Sequence, residues 1–254
     1  MRNFTIVFNI KVFFVLLITS VVYYLCLKFN FVIDNDYNII SIAIIFPLVF
    51  SITSAFNKRQ ESLKYFSELR SNLISISDFF SSTSEISVQT NREVNKILKN
   101  ISNENVDLLS SSNSKSDIGK IRNLFAEVQK KIVENEDAFI NGEKIDLYRS
   151  KREASKCVEN LYSLNIHNTP KSLRAYCLLF IYIYPLIFVP SIISNLKPEF
   201  ELYNIFIFIL CLLVSFVLIA LYNIQDFIEN PFDNKGIDDI KLENYKMDDS
   251  EFNI

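Results

Sequence analysis

Four long apolar blocks constrain this chain more than anything else in it. They lie at about Phe4–Leu27, Ile39–Phe56, Ala175–Ile193 and Leu202–Ile224, and Lys11 is the only charge within them. Crossing a hydrocarbon layer of ~30 Å takes about 20 apolar residues in a helix, and each block is about that long. An unpaired backbone group in lipid costs several kcal/mol, so the blocks must be helical. The expected fold is therefore all-α and integral to a membrane, with four transmembrane helices and a helical cytoplasmic region. The first block has a basic start, Arg2 and Lys11, but no small-x-small cleavage site, and it outruns a signal-peptide core. It is expected to stay as a span. Pro185 and Pro190 should kink or break the third. The first and third are expected mostly to face lipid and neighbours.

An even number of spans places both termini on one side. The short connections Lys28–Asn38 and Ser194–Glu201 carry Asp34, Asp36, Glu199 and Glu201 against one lysine each. The segments beside the other span ends carry Arg2, Lys11, Lys58, Arg59, Lys64, Lys171 and Arg174. By the positive-inside rule, the termini and the middle of the chain are cytoplasmic, in a plasma or inner membrane. The expected organisation is 1–56 with the first two spans, 57–174 as cytoplasmic amphipathic helices, 175–224 with the last two spans, and 225–254 as an acidic tail.

Residues 57–174 carry 19 Lys and Arg against 16 Asp and Glu, a balanced and solvated composition. Leu63, Phe66, Leu69, Leu73, Ile76 and Phe80 recur at three- and four-residue steps, which predicts a helix continuing from the second span. Residues 81–117 read as Ser- and Asn-rich loop around a short amphipathic piece at Val94–Ile101. Amphipathic helices are expected at Ile118–Ile140 and about Ile145–Leu164, with Asn141–Gly142 as the turn between them. Three such helices cannot bury their stripes alone; they need each other or another subunit.

Little in the sequence points to catalysis, so the chain is expected not to be an enzyme. Three glycines cannot build a phosphate-cradling loop, and nothing resembles a nucleophile elbow or a zinc-binding helix. Cys26, Cys157, Cys177 and Cys211 lack metal-ligand spacing and read as filler, and His167 is the only histidine. No cofactor is implied. A net charge of −3 and the lack of a basic aromatic patch argue against nucleic acid.

The few polar atoms within the spans include Thr19, Ser20, Ser41, Ser51, Thr53, Ser54 and Ser215. In the second span Phe46, Phe50 and Ser54 stand at i, i+4 and i+8, on one face of one helix, with Pro47 loosening the backbone beside them. Taken alone, the two phenylalanines are better explained by packing against other helices.

Phe46-Pro47-Leu48-Val49-Phe50, with Ser54 four residues on, resembles the pore-lining second helix of bestrophin channels. The following Phe56-Asn57-Lys58-Arg59 and Lys64-Tyr65-Phe66, with Arg70, are similar to that family's basic and aromatic segment. Past the fourth span, Asn230-Pro231-Phe232 and the acidic Asp238-Asp239 look like its Asn-Pro-Phe segment and acidic cluster. The resemblance implies a homopentamer in the lipid bilayer around one pore for chloride or other small anions. It assigns the neck to Phe46, Phe50 and Ser54, and anion attraction at the inner mouth to Lys58, Arg59, Lys64 and Arg70. Ser54 departs from the aromatic usual at that level. Calcium-activated members use the acidic cluster, but Lys235 stands within it here and subtracts charge, which argues against calcium activation. The alternative is a four-span scaffold or signalling protein whose cytoplasmic helices bind a partner.

Overall fold

A computed structural model describes residues 8–33, 38–110, 117–167, 170–196, 201–234 and 239–252, and no strand occurs among them. The helices are α1 (Ile10–Phe29), α2 (Asn38–Ser82), α3 (Val88–Ser110), α4 (Ile118–Glu134), α5 (Asn141–Ile166), α6 (Lys171–Leu196) and α7 (Glu201–Ile228). Two compact units result, one from Met1–Phe56 with Thr169–Glu229 and the other from Asn57–Asn168 with Asn230–Ile254.

In the first unit α1, α6 and α7 pack on one another. Among the described residues three helical stretches are long and apolar enough to cross a membrane: Ile10–Phe29, Ser172–Leu196 and Leu202–Ile228. The Ile39–Phe56 block is helical as well, being the start of the 45-residue α2. α1 ends where Asn30 adopts the left-handed conformation (φ 49°, ψ 36°) and its N–H returns to the Cys26 carbonyl. Asparagine tolerates that region because its short polar side chain bonds locally.

Of the kink or break expected in α6 at its two prolines, the break does not occur. The helix runs through Pro185 and Pro190, because neighbouring helices hold residues such as Ile181, Val189 and Ser191 fully buried. It is the most enclosed of the three spans, with 56% of its most apolar stretch buried against 33% for α1 and 39% for α7. Polar atoms join the helices where lipid would leave them unsatisfied. Thr19 Oγ1 lies 2.9 Å from the Val15 carbonyl and 3.0 Å from Ser215 Oγ, so its hydroxyl is shared between α1 and α7. The Tyr23 hydroxyl donates to the Asn204 carbonyl at 2.5 Å.

The second unit is built on the stripe foreseen in α2. Phe66, Leu69, Leu73, Ile76 and Phe80 enter one core with Val94 and Leu98 of α3, Ile121 and Phe125 of α4, and Leu147 and Leu161 of α5. Residues 88–110, expected as largely loop, are instead the 23-residue α3. Its Asn and Ser residues are mediocre helix formers, but its strongly one-sided apolar face is paid for by packing. Asn141 and Gly142 begin α5 rather than forming a turn ahead of it, with the Glu143 carboxylate accepting the Ile140 N–H at 3.1 Å. The change of direction comes earlier, in the 3-10 turn Glu136–Ala138.

The acidic tail is also part of this core. Phe232, Ile240, Leu242, Met247 and Phe252 are buried in it, and Tyr245 stacks on Phe66 with ring centroids 4.4 Å apart. Ion pairs fasten it from outside: Lys99 to Asp249 at 2.9 Å, Lys246 to Asp107 at 3.1 Å and Arg70 to Glu251 at 2.5 Å.

Candidate functional site

In the first unit α2 has two unlike faces. Leu48, Ser51 and Ala55, at i, i+3 and i+7, are buried. Phe46 and Phe50 are 61% and 60% exposed, and Ser54 lies exposed one turn further on. The two rings meet edge to face, centroids 4.9 Å apart at 74°, the arrangement favoured by the aromatic quadrupole. Pro47 sits within the helix without ending it. Beside the rings a cavity of about 620 Å³ opens between α2 and α6, walled by Ile42, Phe46, Pro47, Phe50, Leu173 and Tyr176. The structure thus brings Phe46, Phe50 and Ser54 onto one exposed strip, which suits lipid, another copy of the chain or a pore.

The four basic residues assigned to the inner mouth differ in their surroundings. Lys64 is well exposed and pairs loosely with Glu68 at 3.8 Å, one turn along α2. Arg70 is held by Glu251, so its charge is largely compensated. Arg59 is half-buried. The Lys58 amine lies 3.4 Å from the His167 carbonyl at the end of α5, and burial pushes its pKa down to about 8. His167 contributes its backbone there and lies exposed.

The Asn-Pro-Phe segment is an anchor. Asn230 Oδ1 accepts the Phe232 N–H at 3.4 Å, and the Pro231 carbonyl accepts the Ile240 N–H at 2.9 Å, which closes the intervening loop. The Phe232 ring is completely buried, edge to face with Phe66 at 6.5 Å. Asp239 is half-buried, whereas Asp238 and Lys235 lie outside the described residues. Among the described residues no three His, Cys, Asp or Glu converge as a metal site.

One polar cluster was not singled out from sequence. Arg174 of α6 donates to Asp226 at 3.0 Å and also pairs with Glu229, whose carboxylate is almost wholly buried. Lys11 of α1 reaches Asp226 at 3.4 Å and lies over the Tyr222 ring at 4.9 Å. Lys11 and Arg174 were read only as charges flanking spans. The available signal was Tyr222 and Asp226 at i and i+4 on one face of α7, with Glu229 one residue beyond its end.

No family model matches the sequence, and comparison with characterised proteins finds no relative. Solved structures do match. A point variant of a bacterial bestrophin homologue from Klebsiella pneumoniae superposes with a TM-score of 0.76 at 10% identity, over 92% of this chain and 91% of that one. A structure of that homologue phased on zinc gives 0.73 at 10% identity, over 92% and 93%. A second variant gives 0.72 at 11% identity over the same shares. This chain has the bestrophin fold. With the bestrophin fold go the helical membrane unit and the second helical unit described above, whereas the side chains of the exposed α2 strip are this chain's own.

Proposed function

We propose that this chain is a divergent bestrophin-like channel subunit. It assembles as a homopentamer and passes chloride or another small anion passively through a central neck lined by α2. Ile39–Phe56 is then the fourth span, and both termini lie in the cytoplasm. The observation that carries the proposal is the strip Phe46, Phe50 and Ser54, exposed on a single chain while Leu48, Ser51 and Ala55 behind it are buried.

Five copies of Phe46 and Phe50 make two stacked aromatic rings. The edge of a phenyl ring is its positive side, so edges turned to the axis favour a passing anion without a fixed cation. A narrow apolar neck also closes by losing its water. Ser54 widens and hydrates the inner end, giving a shorter neck than three aromatic levels would. Lys58, Arg59 and Lys64 raise the local anion concentration at the inner mouth. Calcium has no role in the proposal, since Lys235 opposes cation binding in the acidic stretch. No catalytic step is assigned. The scaffold alternative needs an unpartnered apolar stripe in the second unit, and the stripes named above are filled by one another and by the tail.

The test is anion efflux from liposomes holding the purified protein. Wild type should conduct, Phe50→Ala should conduct several-fold faster, and Ser54→Phe should conduct more slowly. Absence of flux in all three, with the protein folded and inserted, overturns the proposal, as does a monomeric particle in detergent.

A further inference from the structure

Where α1 ends, two cavities of different chemistry adjoin. One, of about 370 Å³, is apolar and walled by Val22, Leu25, Phe29 and Leu186. The other, of about 470 Å³, has a half-polar wall that includes Asn30, Ser194 and Asn204. Cys26 belongs to both, so the two volumes meet at one side chain. The chain after α1 passes the same place, its Ile33 N–H bonded to the Pro190 carbonyl of α6 at 3.5 Å. Phe31 contributes to the apolar cavity and Val32 to the polar one.

Three further features give the pair a polarity. Asn204 Oδ1 is enclosed and has no hydrogen-bond partner among the described residues, an arrangement that a ligand donor would relieve. Lys28 stands in the last turn of α1, its amine 5.8 Å from the centre of the Phe29 ring that walls the apolar cavity. Among the described residues walling the two cavities none is a carboxylate. The complement of such a site is an amphiphile with an acyl chain, a negative group near Lys28 and a hydroxyl donor for Asn204. Each methylene withdrawn from water into the apolar cavity contributes about 0.8 kcal/mol, but in a bilayer that gain is shared by every acyl chain. Selectivity must therefore come from the polar half.

We propose that the α1 end of the first unit is a binding site for one phospholipid with a hydroxylated head group, of the phosphatidylglycerol type. Its acyl chain fills the cavity at Leu186, its phosphate lies toward Lys28, and a head-group hydroxyl donates to Asn204 Oδ1. This site is independent of the anion conduction proposed above.

Native mass spectrometry of the detergent-solubilised protein tests it with two probes, dioctanoyl phosphatidylglycerol and dioctanoyl phosphatidylcholine, the second lacking a head-group hydroxyl. Wild type should retain one phosphatidylglycerol per chain, about tenfold more tightly than phosphatidylcholine, the value of one well-made hydrogen bond in an enclosed site. Asn204→Leu should remove that preference while leaving acyl binding, and Leu186→Trp, which fills the apolar cavity, should abolish uptake of both. Circular dichroism confirms that each variant is folded; should Leu186→Trp fail, Leu25→Phe replaces it as a milder filling of the same cavity. Equal affinity of wild type for the two lipids overturns the proposal. So does undiminished uptake by the filled variants, or a change in particle mass on filling without a change in lipid uptake, which would make the cavity a contact between copies.

Discussion

The two halves of α2 treat the same residue type in opposite ways. Phe46 and Phe50 are 61% and 60% exposed, whereas Phe66 and Phe80, further along the same helix, are 2% and 1% exposed. In the second half charged residues share the helix, so water is the surrounding medium and burying each ring is favourable. In the first half no charge lies between Asn38 and Asn57, and the side buried in the bundle holds the smaller Ser51 and Ala55 beside Leu48. Small residues let membrane helices approach closely, which turns the large rings outward. A ring outside the bundle then contributes little to the fold and is available for function.

The largest test of that contrast is paired truncation. Phe80→Ala should cost about 3–5 kcal/mol of stability, from lost transfer energy plus the cavity left in the second unit. Phe50→Ala should stay within about 1 kcal/mol, as substitutions outside a core usually do. Denaturant titration followed by circular dichroism checks both, and equal losses would break the comparison. A smaller effect is expected inside the membrane unit, where Thr19→Val removes the link to Ser215. The cost should be about 1 kcal/mol, near the upper part of what such bonds contribute between membrane helices, read as a lower thermal midpoint.

Lys58 sharpens the comparison at the junction of the two halves. Its folded pKa of about 8 lies below the roughly 10.4 of a free lysine, so the unfolded chain holds more protons between those values. Stability should therefore rise with pH from about 8 to roughly 10.4, as the buried amine sheds its charge. Lys58→Met should flatten that rise in denaturation midpoints measured across the window. Under the channel proposal, anion flux should fall over the approach to pH 8 and beyond in wild type and not in the variant. The smallest effect is expected at the solvent-facing edge of the second unit. Arg70→Ala or Glu251→Ala should cost about 1 kcal/mol or less, and the loss should shrink in high salt.

Much of the fold was legible because lipid imposes a simple rule on sequence. Long apolar blocks marked α1, α6 and α7, and the three- and four-residue spacing from Leu63 to Phe80 marked the buried stripe of α2. α3 was legible only at Val94–Ile101, since its Asn and Ser residues carry little helical preference and its other turns exist because the core holds them. The exposed strip of Phe46, Phe50 and Ser54 could be read from spacing, whereas its exposure could not. The pairing of Arg174 with Asp226 and Glu229 was hidden because it joins α6 to α7 across more than fifty residues of sequence.

By itself, then, the sequence determined most of the helices, their apolar character and the faces on which residues stand, because these follow from local composition and the 3.6-residue period. Tertiary structure alone decided which face of α2 is covered, that α6 survives two prolines, and that the acidic tail closes the second core rather than hanging free. Those outcomes depend on which distant surfaces meet, and no local pattern encodes a meeting.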